Sequence, residues 1–438
     1  MKDASVGMRA LPDVSPLPPR RGGLPWLGAG TGLLRNPTDF FRRARAELGD
    51  TFVVDAFGYR LFCVFSPAGV RRLYALAENE ASFGLATFEL VMKRKVPIEL
   101  LAGRRTFPHH LFGKQDVEDY LGCLEDAVRQ QLDELGEHGS FEVFAIMRRL
   151  GHRLGLGAWA GGEAASAAYL DRLIPLFDRL DSGQSFVRPA HAFVTWITRK
   201  RREQRAMRGI EAIIAEILAA RSGRRADDYL QRIYDSFADL PESERAVQTA
   251  RDVIVIHMGA QSNLYAALAW TLINVLRHDD LRRRVADGDD ALLEQCANES
   301  IRLAQRSITL RLVMSPLALE LESGTYHLSP GVMLTTMLSV TNPTAAPGLD
   351  RFDPSHYEGR KLAGDIALPA RELVSTFGHG RHSCPAQRFS ISAIRISIRR
   401  LLERFDLEPR FGDVQPRARQ IGGVARAASP CIVVYRRR

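Results

Sequence analysis

Helical periodicity dominates the hydrophobic pattern of this chain, with apolar residues three and four positions apart over most of its length. The predicted helices are 36–48, 67–77, 117–135, 141–157, 164–180, 190–220, 251–278, 279–286, 291–304 and 387–405. Runs rich in β-branched and aromatic residues predict strands at 51–54, 60–65, 330–341 and 431–435, the first two forming a hairpin. The pattern therefore predicts a mainly α protein with a minor β portion.

The stretch 251–278 differs from the other predicted helices because it is apolar nearly all round. This pattern is typical of a helix that is buried in a large core. Gly259 and the polar run Gln261, Ser262 and Asn263 interrupt it near the middle and predict a local weakening of the helix. Departures from the local rule inside a buried element are often functional, so we expect this spine helix to carry part of the site.

One domain is expected over 22–438, because no internal repeat and no clear shift in composition divides the chain. Residues 1–21 are expected to form a flexible, proline-rich leader that precedes this domain. The leader contains Pro16, Pro18 and Pro19, and such a density of proline does not occur inside a helix.

Composition and charge narrow the functional class. The chain is 45% hydrophobic and 25% charged, as in soluble globular proteins. Its five cysteines are scattered and odd in number, which argues against a disulfide framework and for a reducing compartment. No apolar run reaches the length of a membrane span, so a cytoplasmic protein without a transmembrane anchor is expected. The net charge of +9 comes from dispersed arginines, which favours an acidic protein partner over a nucleic acid.

The stretch 377–386 carries the clearest chemistry in the chain, with two glycines and two histidines just before Cys384. Pro385 follows the cysteine and is expected in the first turn of the helix 387–405. A cysteine at a helix N-terminus favours the thiolate, and glycines let the backbone approach a flat partner closely. A buried thiolate on such a loop suits an axial iron ligand. Two alternatives are an inert core cysteine and a zinc site with His379 and His382, although no second half-site lies nearby.

Phe-Gly-x-Gly-x-His-x-Cys-Pro-Ala resembles the haem-binding loop of the cytochrome P450 family. The match holds up to the cysteine, after which Ala386 stands where the family usually has glycine. The resemblance implies the cytochrome P450 fold over nearly the whole chain and haem b as cofactor. It further implies that Cys384 ligates the iron and that Phe377, Gly378 and Ala386 contact the haem.

Two further motifs precede the loop in the order that the family shows. Glu299-x-x-Arg302 matches the family's Glu-x-x-Arg, and Phe352-x-Pro-x-His356 matches its Phe-x-Pro-x-Arg/His segment. The resemblance implies a buried ionic triad that braces the cysteine loop and has a structural role. It also places Arg311 and His382 on the haem propionates. His109 and His110 are weaker candidates for the same contact.

The spine helix departs from the family pattern Ala/Gly-Gly-x-Asp/Glu-Thr, whose acid and alcohol relay protons. Ser262 stands at the acid position and Asn263 at the alcohol position, and these two and the neighbouring Gln261 are the candidate catalytic residues. Gln-x-Asn at this place resembles the branch that contains the bile-acid sterol hydroxylases and prostacyclin synthase. An amide is a poor proton relay, although water can take that role, and Asn263 can hydrogen-bond a peroxide substrate.

The resemblance implies a monomeric monooxygenase that hydroxylates a steroid, terpenoid or other lipid with O2 and electrons from a ferredoxin- or flavodoxin-type donor. The expected pocket residues are Val255, Met258 and Gly259 on the spine, Ile308 and Thr309 from a loop before Arg311, and 421–423. The missing acid–alcohol pair supports a different reaction, that of an electron-independent peroxide isomerase or lyase. Two more functions fit the motifs, namely an atypical natural-product oxidase and a haem carrier or sensor with His257 as a second iron ligand.

Overall fold

The structure is a computed structural model that describes residues 11–24, 26–107, 110, 113–181, 195, 198–221 and 227–438. It is 54% helix and 16% strand, which confirms the prediction of a mainly α protein with a minor β portion. The α-helices of the described chain are α1 (Gly30–Arg35), α2 (Pro37–Leu48), α3 (Pro67–Ala75), α4 (Phe83–Thr87), α5 (Lys93–Lys95), α6 (Lys114–Asp133), α7 (Val143–Trp159), α8 (Ala167–Leu180), α9 (Arg201–Ala220), α10 (Tyr229–Asp235), α11 (Glu242–Leu276), α12 (Asp279–Ala286), α13 (Asp290–Ala304), α14 (Leu338–Thr344) and α15 (Gln387–Arg404).

The strands are short and lie mostly in the two ends of the chain. They are β1 (Val14–Ser15), β2 (Arg20–Arg21), β3 (Thr51–Ala56), β4 (Tyr59–Val64), β5 (Ala81–Ser82), β6 (His138–Glu142), β7 (Ile308–Val313), β8 (Leu317–Leu321), β9 (Gly324–Leu328), β10 (Met333–Met337), β11 (Tyr357–Glu358), β12 (Lys361–Leu362), β13 (Phe405–Pro409) and β14 (Ile432–Arg437). Short 3₁₀ segments lie at Ile98–Leu101, Gly162–Ala165, Pro354–His356, Arg371–Leu373 and Gly380–His382, with a π-helical turn at Phe88–Met92.

The spine helix is α11, which is 35 residues long and begins nine residues before the predicted start at 251. It packs along α7 and is crossed by α9 and α13, so its second half from Leu264 to Leu276 is buried. The helix runs through Gly259 without a break, so the expected local weakening does not interrupt it. One glycine costs a helix about 1 kcal/mol. Burial of the apolar residues around it outweighs that cost.

The largest sheet has six strands in the order β2-β3-β4-β10-β7-β5. Strand β7 pairs antiparallel with β10, and Arg311 lies opposite Leu334 in this register. The expectation that Ile308 and Thr309 belong to a loop is therefore wrong, because they begin β7. The alternation of apolar and polar residues over Ile308–Val313 is the period of a half-buried strand, which explains the difference.

Part of the expected flexible leader pairs with these sheets. Val14–Ser15 pairs with β9, and Arg20–Arg21 pairs in parallel with β3. Backbone hydrogen bonds therefore hold this part of the leader against the fold. Residues 1–10 and the start of the predicted helix 190–220, at 190–194 and 196–197, lie outside the described residues. The division of the chain at residue 21 stays a prediction.

No helix in the described part of the chain is long and apolar enough to cross a membrane. The main hydrophobic core surrounds α11 and extends to the cysteine loop through α15, in which Phe389 and Ile394 are fully buried. The spine helix and the loop thus face each other across one continuous core, and the candidate site lies between them.

Candidate active site

The cysteine loop is fixed by a tight backbone turn. Gly378 has a φ of +79°, and a Cβ there would lie 2.6 Å from the carbonyl oxygen of His382. A side chain is therefore excluded at this position on two grounds, backbone conformation and space. The amide of Cys384 donates to the carbonyl of Phe377 at 2.6 Å and closes the turn. The thiol is thereby held in one place against α15.

Helix α15 begins at Gln387, with Ala386 as its N-cap. Pro385 therefore lies in a turn before the helix and not in its first turn, which corrects the expectation by two residues. Burial raises the pKa of the Cys384 thiol, and a hydrogen bond from the backbone of Ala386 acts in the opposite direction. This one backbone hydrogen bond favours the thiolate, whereas burial favours the neutral thiol.

A cavity of about 420 Å³ lies between the cysteine loop and the spine helix. Cys384 and Phe377 line one side of it. The opposite side is formed by small and apolar residues of α11, among them Ala260, Leu264 and Ala267. We call this space the cysteine cavity. Its walls leave room for a flat apolar group directly above the thiol.

One edge of the cysteine cavity is cationic. Nε2 of His382 lies 3.0 Å from Oε1 of Glu78, and a guanidinium nitrogen of Arg311 lies 3.7 Å from the same oxygen. Burial alone would raise the pKa of the Glu78 carboxyl. Hydrogen bonds from Ser82 and the backbone of Phe83, and then His382 and Arg311, bring this pKa below its ordinary value. Burial and then the charge of Arg311 lower the pKa of His382, so Arg311 carries the permanent positive charge of this edge. The edge therefore binds a carboxylate already.

Arg311 is held from behind, because its guanidinium donates to the carbonyl oxygens of Ala81 at 2.9 Å and Tyr74 at 3.4 Å. It is almost fully buried, so its charge acts in a medium that screens it weakly. Thiol, apolar wall and cationic edge together suit a planar group that carries a metal at its centre and acids at one edge. The Glu78 carboxylate stands in for such an acid.

A buried ion pair lies behind the cysteine loop. The guanidinium of Arg302 binds both carboxylate oxygens of Glu299, at 2.7 and 2.6 Å, and neither side chain is exposed. Nδ1 of His356 lies 2.9 Å from Oε1 of Glu299. Arg302 also donates to the backbone oxygens of Asn342 and Leu349. Among the three residues that the sequence groups as a triad, Glu299 thus contacts both Arg302 and His356.

Asn342 connects this triad to the cysteine loop. Its amide nitrogen donates to the carbonyls of Arg302 and Ser375, and its amide oxygen accepts from the N–H of Ser375 at 2.8 Å. The hydroxyl of Ser375 then accepts from the N–H of Gly378 at 2.9 Å. A continuous chain of hydrogen bonds therefore runs from the ion pair to the glycine turn. Through these hydrogen bonds the triad braces the cysteine loop.

A second cavity of about 420 Å³, which we call the distal cavity, lies beside the first along the spine helix. Val255, Gly259 and Asn263 line both spaces, while Met258 and Ser262 line the distal cavity alone. Residues 421–423 also face it, as expected, whereas Ile308 and Thr309 line the cysteine cavity. A substrate in the distal cavity would therefore reach the cysteine cavity where Asn263 lines both spaces.

The family follows from a separate comparison. Residues 185–434 match the family model for cytochrome P450, which is more than half of the chain. The chain belongs to the cytochrome P450 family. It is therefore an oxidoreductase of the monooxygenase class, and its family binds an iron protoporphyrin. P450 enzymes also bind hydrophobic substrates and normally work with a redox partner.

Individual relatives agree with this assignment. The chain is 23% identical over 454 residues to 24-hydroxycholesterol 7-alpha-hydroxylase of Homo sapiens, covering 95% of this chain and 93% of that protein. It is 23% identical to the sterol 14alpha-demethylase of Mycobacterium bovis over 350 residues, covering 74% and 76%. The solved structure of retinoic acid bound cyanobacterial CYP120A1 has a TM-score of 0.72 at 18% identity, covering 96% and 99%. The cytochrome P450 fold is thus confirmed.

Two residues of the spine helix in this P450, Gln261 and His257, do not lie where their expected roles require. Gln261 lines neither cavity, because the helical period turns it to the face away from Asn263. It is buried, and both of its amide atoms lack a hydrogen-bond partner among the described residues. Its expected catalytic contact is therefore corrected. His257 likewise lines neither cavity and lies 2.8 Å from a ring nitrogen of His152, so it cannot serve as a second iron ligand.

His110 also lines neither cavity, and His109 lies outside the described residues. Several residues around this P450 site escaped sequence reasoning. They include Asp181, Tyr265 and Arg426 in the distal cavity and Asn342 behind the loop. Tyr265 lies on the predicted spine helix and could have been found from its period. The others are distant in sequence and carry no local signal.

Proposed function

We propose that this P450 is a sterol monooxygenase that hydroxylates its substrate in the distal cavity, with haem b in the cysteine cavity. The observation that carries the proposal is the shared wall of the two spaces, where Val255, Gly259 and Asn263 face both. A rigid, apolar skeleton of sterol size fits a cavity of this kind better than a polar metabolite does. The sterol hydroxylase relative, which aligns over 95% of this chain, supports the substrate class.

The residues around the cysteine cavity have separate roles in this proposal. Cys384 would hold the iron through its thiolate, and Arg311 and His382 would hold the propionates in place of Glu78. Phe377, Gly378 and Ala386 would contact the porphyrin. When bound, the haem supplies the oxidising chemistry, which a thiolate ligand favours by donating electron density. The protein supplies position and exclusion of water.

Proton delivery would rest on water in this enzyme. Cysteine-cavity residues of the described chain include no Asp or Glu, so no carboxylate there can relay a proton. The amide oxygen of Asn263 accepts a hydrogen bond from the N–H of Val424 at 2.9 Å, which leaves its NH2 group as a donor. Asn263 would therefore orient a water molecule or the substrate, and the Ser262 hydroxyl in the distal cavity would contact the same water. Electrons would come from a ferredoxin- or flavodoxin-type donor.

The test is turnover of the haem-loaded protein with a surrogate ferredoxin and its reductase. Cholesterol and two hydroxycholesterols would be supplied separately, and products would be analysed by mass spectrometry. We expect one sterol to gain a single oxygen atom in a reaction that depends on the reductant. Haem spectral shifts on sterol binding provide a second readout that does not depend on the donor. If no sterol shifts the spectrum while a terpenoid or fatty acid does, the sterol assignment is wrong.

A second candidate function is the electron-independent rearrangement of a lipid peroxide. It is favoured by the same lack of carboxylates among the described residues of the cysteine cavity, together with the free NH2 donor of Asn263. Rearrangement needs no external protons, so an amide suffices to orient the peroxide. The ferric protein would be mixed with a lipid hydroperoxide without reductant. Fast formation of an isomer would favour this function over hydroxylation, and inertness would exclude it.

A further inference from the structure

The end of the distal cavity that is not shared with the cysteine cavity carries a polar cluster in an otherwise apolar space. Asp181, directly after α8, lies there with Tyr265 of the spine helix and Arg426 of the C-terminal segment. Apolar residues such as Met92, Val96 and Met258 form the rest of this part of the wall. Burying a charged pair in such a wall has a desolvation cost, and apolar residues would line the cavity without that cost.

The guanidinium of Arg426 is only loosely held. It donates to Oδ2 of Asp181 at 3.4 Å, and its carbon lies 5.4 Å from the centre of the Tyr265 ring. Among the described residues it makes one side-chain hydrogen bond of ordinary geometry, with Asp181, and it also lies close to the Tyr265 phenol, although arginine has five N–H donors. The side chain of Asp181 is 5% exposed and that of Arg426 is 28% exposed. Donors of Arg426 are therefore available to a ligand in the cavity.

Tyr265 provides a second, independent indication of a ligand. Its residue is 3% exposed, and Arg426 lies close to its phenol oxygen, but no hydrogen bond of ordinary geometry forms to that oxygen among the described residues. Burial raises the pKa of Tyr265 to about 12 against the opposing charge of Arg426, so the phenol stays protonated at neutral pH and keeps its donor. A buried hydroxyl without a partner costs stability, and a polar group of the ligand would remove that cost.

The position of Arg426 is fixed relative to the reacting end of the cavity. Its backbone N–H donates to Oε1 of Gln420 at 2.9 Å, and Nε2 of Gln420 donates to the carbonyl of Val424 at 3.1 Å. The N–H of Val424 in turn donates to Asn263, which lines both cavities. One hydrogen-bonded loop therefore joins the polar cluster to the spine helix beside the thiol. The distance between the two ends of a bound substrate is set by this loop.

The charges of the cluster select the kind of group. Asp181 accepts hydrogen bonds, while Arg426 and Tyr265 donate them, so an uncharged hydroxyl can make both types of bond at once. A carboxylate would be repelled by Asp181, and an ammonium by Arg426. Arg148, the other cation nearby, already binds Asp178 through Nε at 2.9 Å. The pair is thus close to neutral and does not favour an ion.

We propose that Asp181, Tyr265 and Arg426 bind a hydroxyl group of the substrate at the end remote from the carbon that is oxidised. The three residues are specificity determinants, and the inference rests on the proposed oxidation of an apolar skeleton in the distal cavity. The substrate class becomes an alcohol with a rigid apolar body. Its hydroxyl fixes the depth of the skeleton, and therefore which carbon faces the thiol side.

The test measures binding of matched ligand pairs to the haem-loaded protein. A sterol, a diterpene alcohol and a long-chain alcohol would each be compared with the analogue that lacks the hydroxyl. Dissociation constants would come from the haem absorbance shift and from calorimetry. In at least one pair we expect the alcohol to bind about 10- to 100-fold more tightly, as hydrogen bonds to charged groups allow. A preference below twofold in all three pairs would overturn the proposal.

Variants assign the preference to the cluster. The double variant Asp181→Leu with Arg426→Met removes both charges of the pair together, so neither of the two is left buried without the other. It should bring the preference close to one while the deoxy ligand binds as before, and Tyr265→Phe should reduce it in part. Arg410→Met removes an exposed arginine of the same C-terminal segment and should change nothing. An unchanged preference in the double variant, or an equal loss for both ligands, would contradict the assignment.

The two proposals fail separately. If the diterpene or long-chain pair shows the hydroxyl preference and the sterol pair does not bind, the sterol assignment falls and the hydroxyl site stands. If sterols bind and are oxidised and none of the three pairs shows a preference for the alcohol, the hydroxyl site falls and the monooxygenase stands.

Discussion

The amide oxygen of Asn263 accepts a hydrogen bond from the N–H of Val424 at 2.9 Å and so ties the middle of the spine helix to the C-terminal loop. Gly423 beside it has a φ of +64°, and a Cβ there would lie 2.4 Å from that oxygen. The loop approaches the helix this closely only because the residue is glycine. Asn263 therefore positions one wall of the substrate space, in addition to any contact with substrate.

Replacing Asn263 by leucine should leave the buried N–H of Val424 without an acceptor. We expect a loss of about 1–3 kcal/mol in the free energy of unfolding. Substrate affinity should fall about tenfold, which is about 1.4 kcal/mol, because the loop shifts. Asn263→Asp keeps an acceptor oxygen for Val424 and serves as the control, with a smaller loss of stability than Asn263→Leu. Urea unfolding and haem titration with substrate would measure both effects, and equal behaviour of the two variants would refute the positioning role.

Cys384→Ala should abolish the thiolate-type haem spectrum, because alanine offers no ligand atom. The reduced, carbon monoxide-bound protein would be compared with the parent by absorbance. Cys123→Ala changes an exposed cysteine outside the site and should leave the spectrum intact. A retained thiolate spectrum in Cys384→Ala would mean that another cysteine ligates the iron.

Arg302→Met should destabilise the fold strongly, because it leaves the Glu299 carboxylate buried without its guanidinium. Breaking a buried pair in this way costs about 3–5 kcal/mol. Arg400→Met removes a half-exposed arginine from ion pairs with Glu125 and Glu403, and it should cost at most about 1 kcal/mol. Chemical denaturation of both variants gives the comparison. Similar losses would show that the triad does not brace the loop.

Stability should decrease on mild acidification because of two buried imidazoles. Burial and then the charge of Arg148 lower the pKa of His152 to about 3, and burial and His152 lower the pKa of His257 well below its ordinary value. Both rings therefore bind protons less readily in the folded state than in the unfolded state. Their stabilising effect is complete above pH 6.5 and decreases as the pH falls toward 3.

Between pH 7.5 and 5 we expect each of these two histidines to remove about 2 kcal/mol from the free energy of unfolding. Denaturation curves at several pH values would measure the slope. The double variant His152→Leu with His257→Leu should flatten it, whereas His138→Gln, at an exposed position, should not. A slope that persists in the double variant would assign the acid sensitivity to other groups.

The sequence predicted the site residues that lie close together along the chain. The residues around Cys384 and the pair Glu299 and Arg302 are close in sequence, so loop and helix geometry bring them together directly. Strand β7 was missed because a run of six residues is ambiguous without knowledge of its partner. Asp181 and Arg426 lie 245 positions apart, and only the packing of the whole fold joins them. Gln261 was misplaced because a spacing of two residues in a helix turns it to the face opposite Asn263, and that period was not applied to it.

The spine helix also separates two tasks along its circumference. Ala260, Leu264 and Ala267 face the cysteine cavity, while Met258 and Ser262 face the distal cavity alone. Met258 and Ser262 can therefore be substituted without altering the residues of the spine helix that line the cysteine cavity. Enzyme engineers wishing to redirect this catalyst have two positions at which new selectivity and retained cofactor loading are compatible.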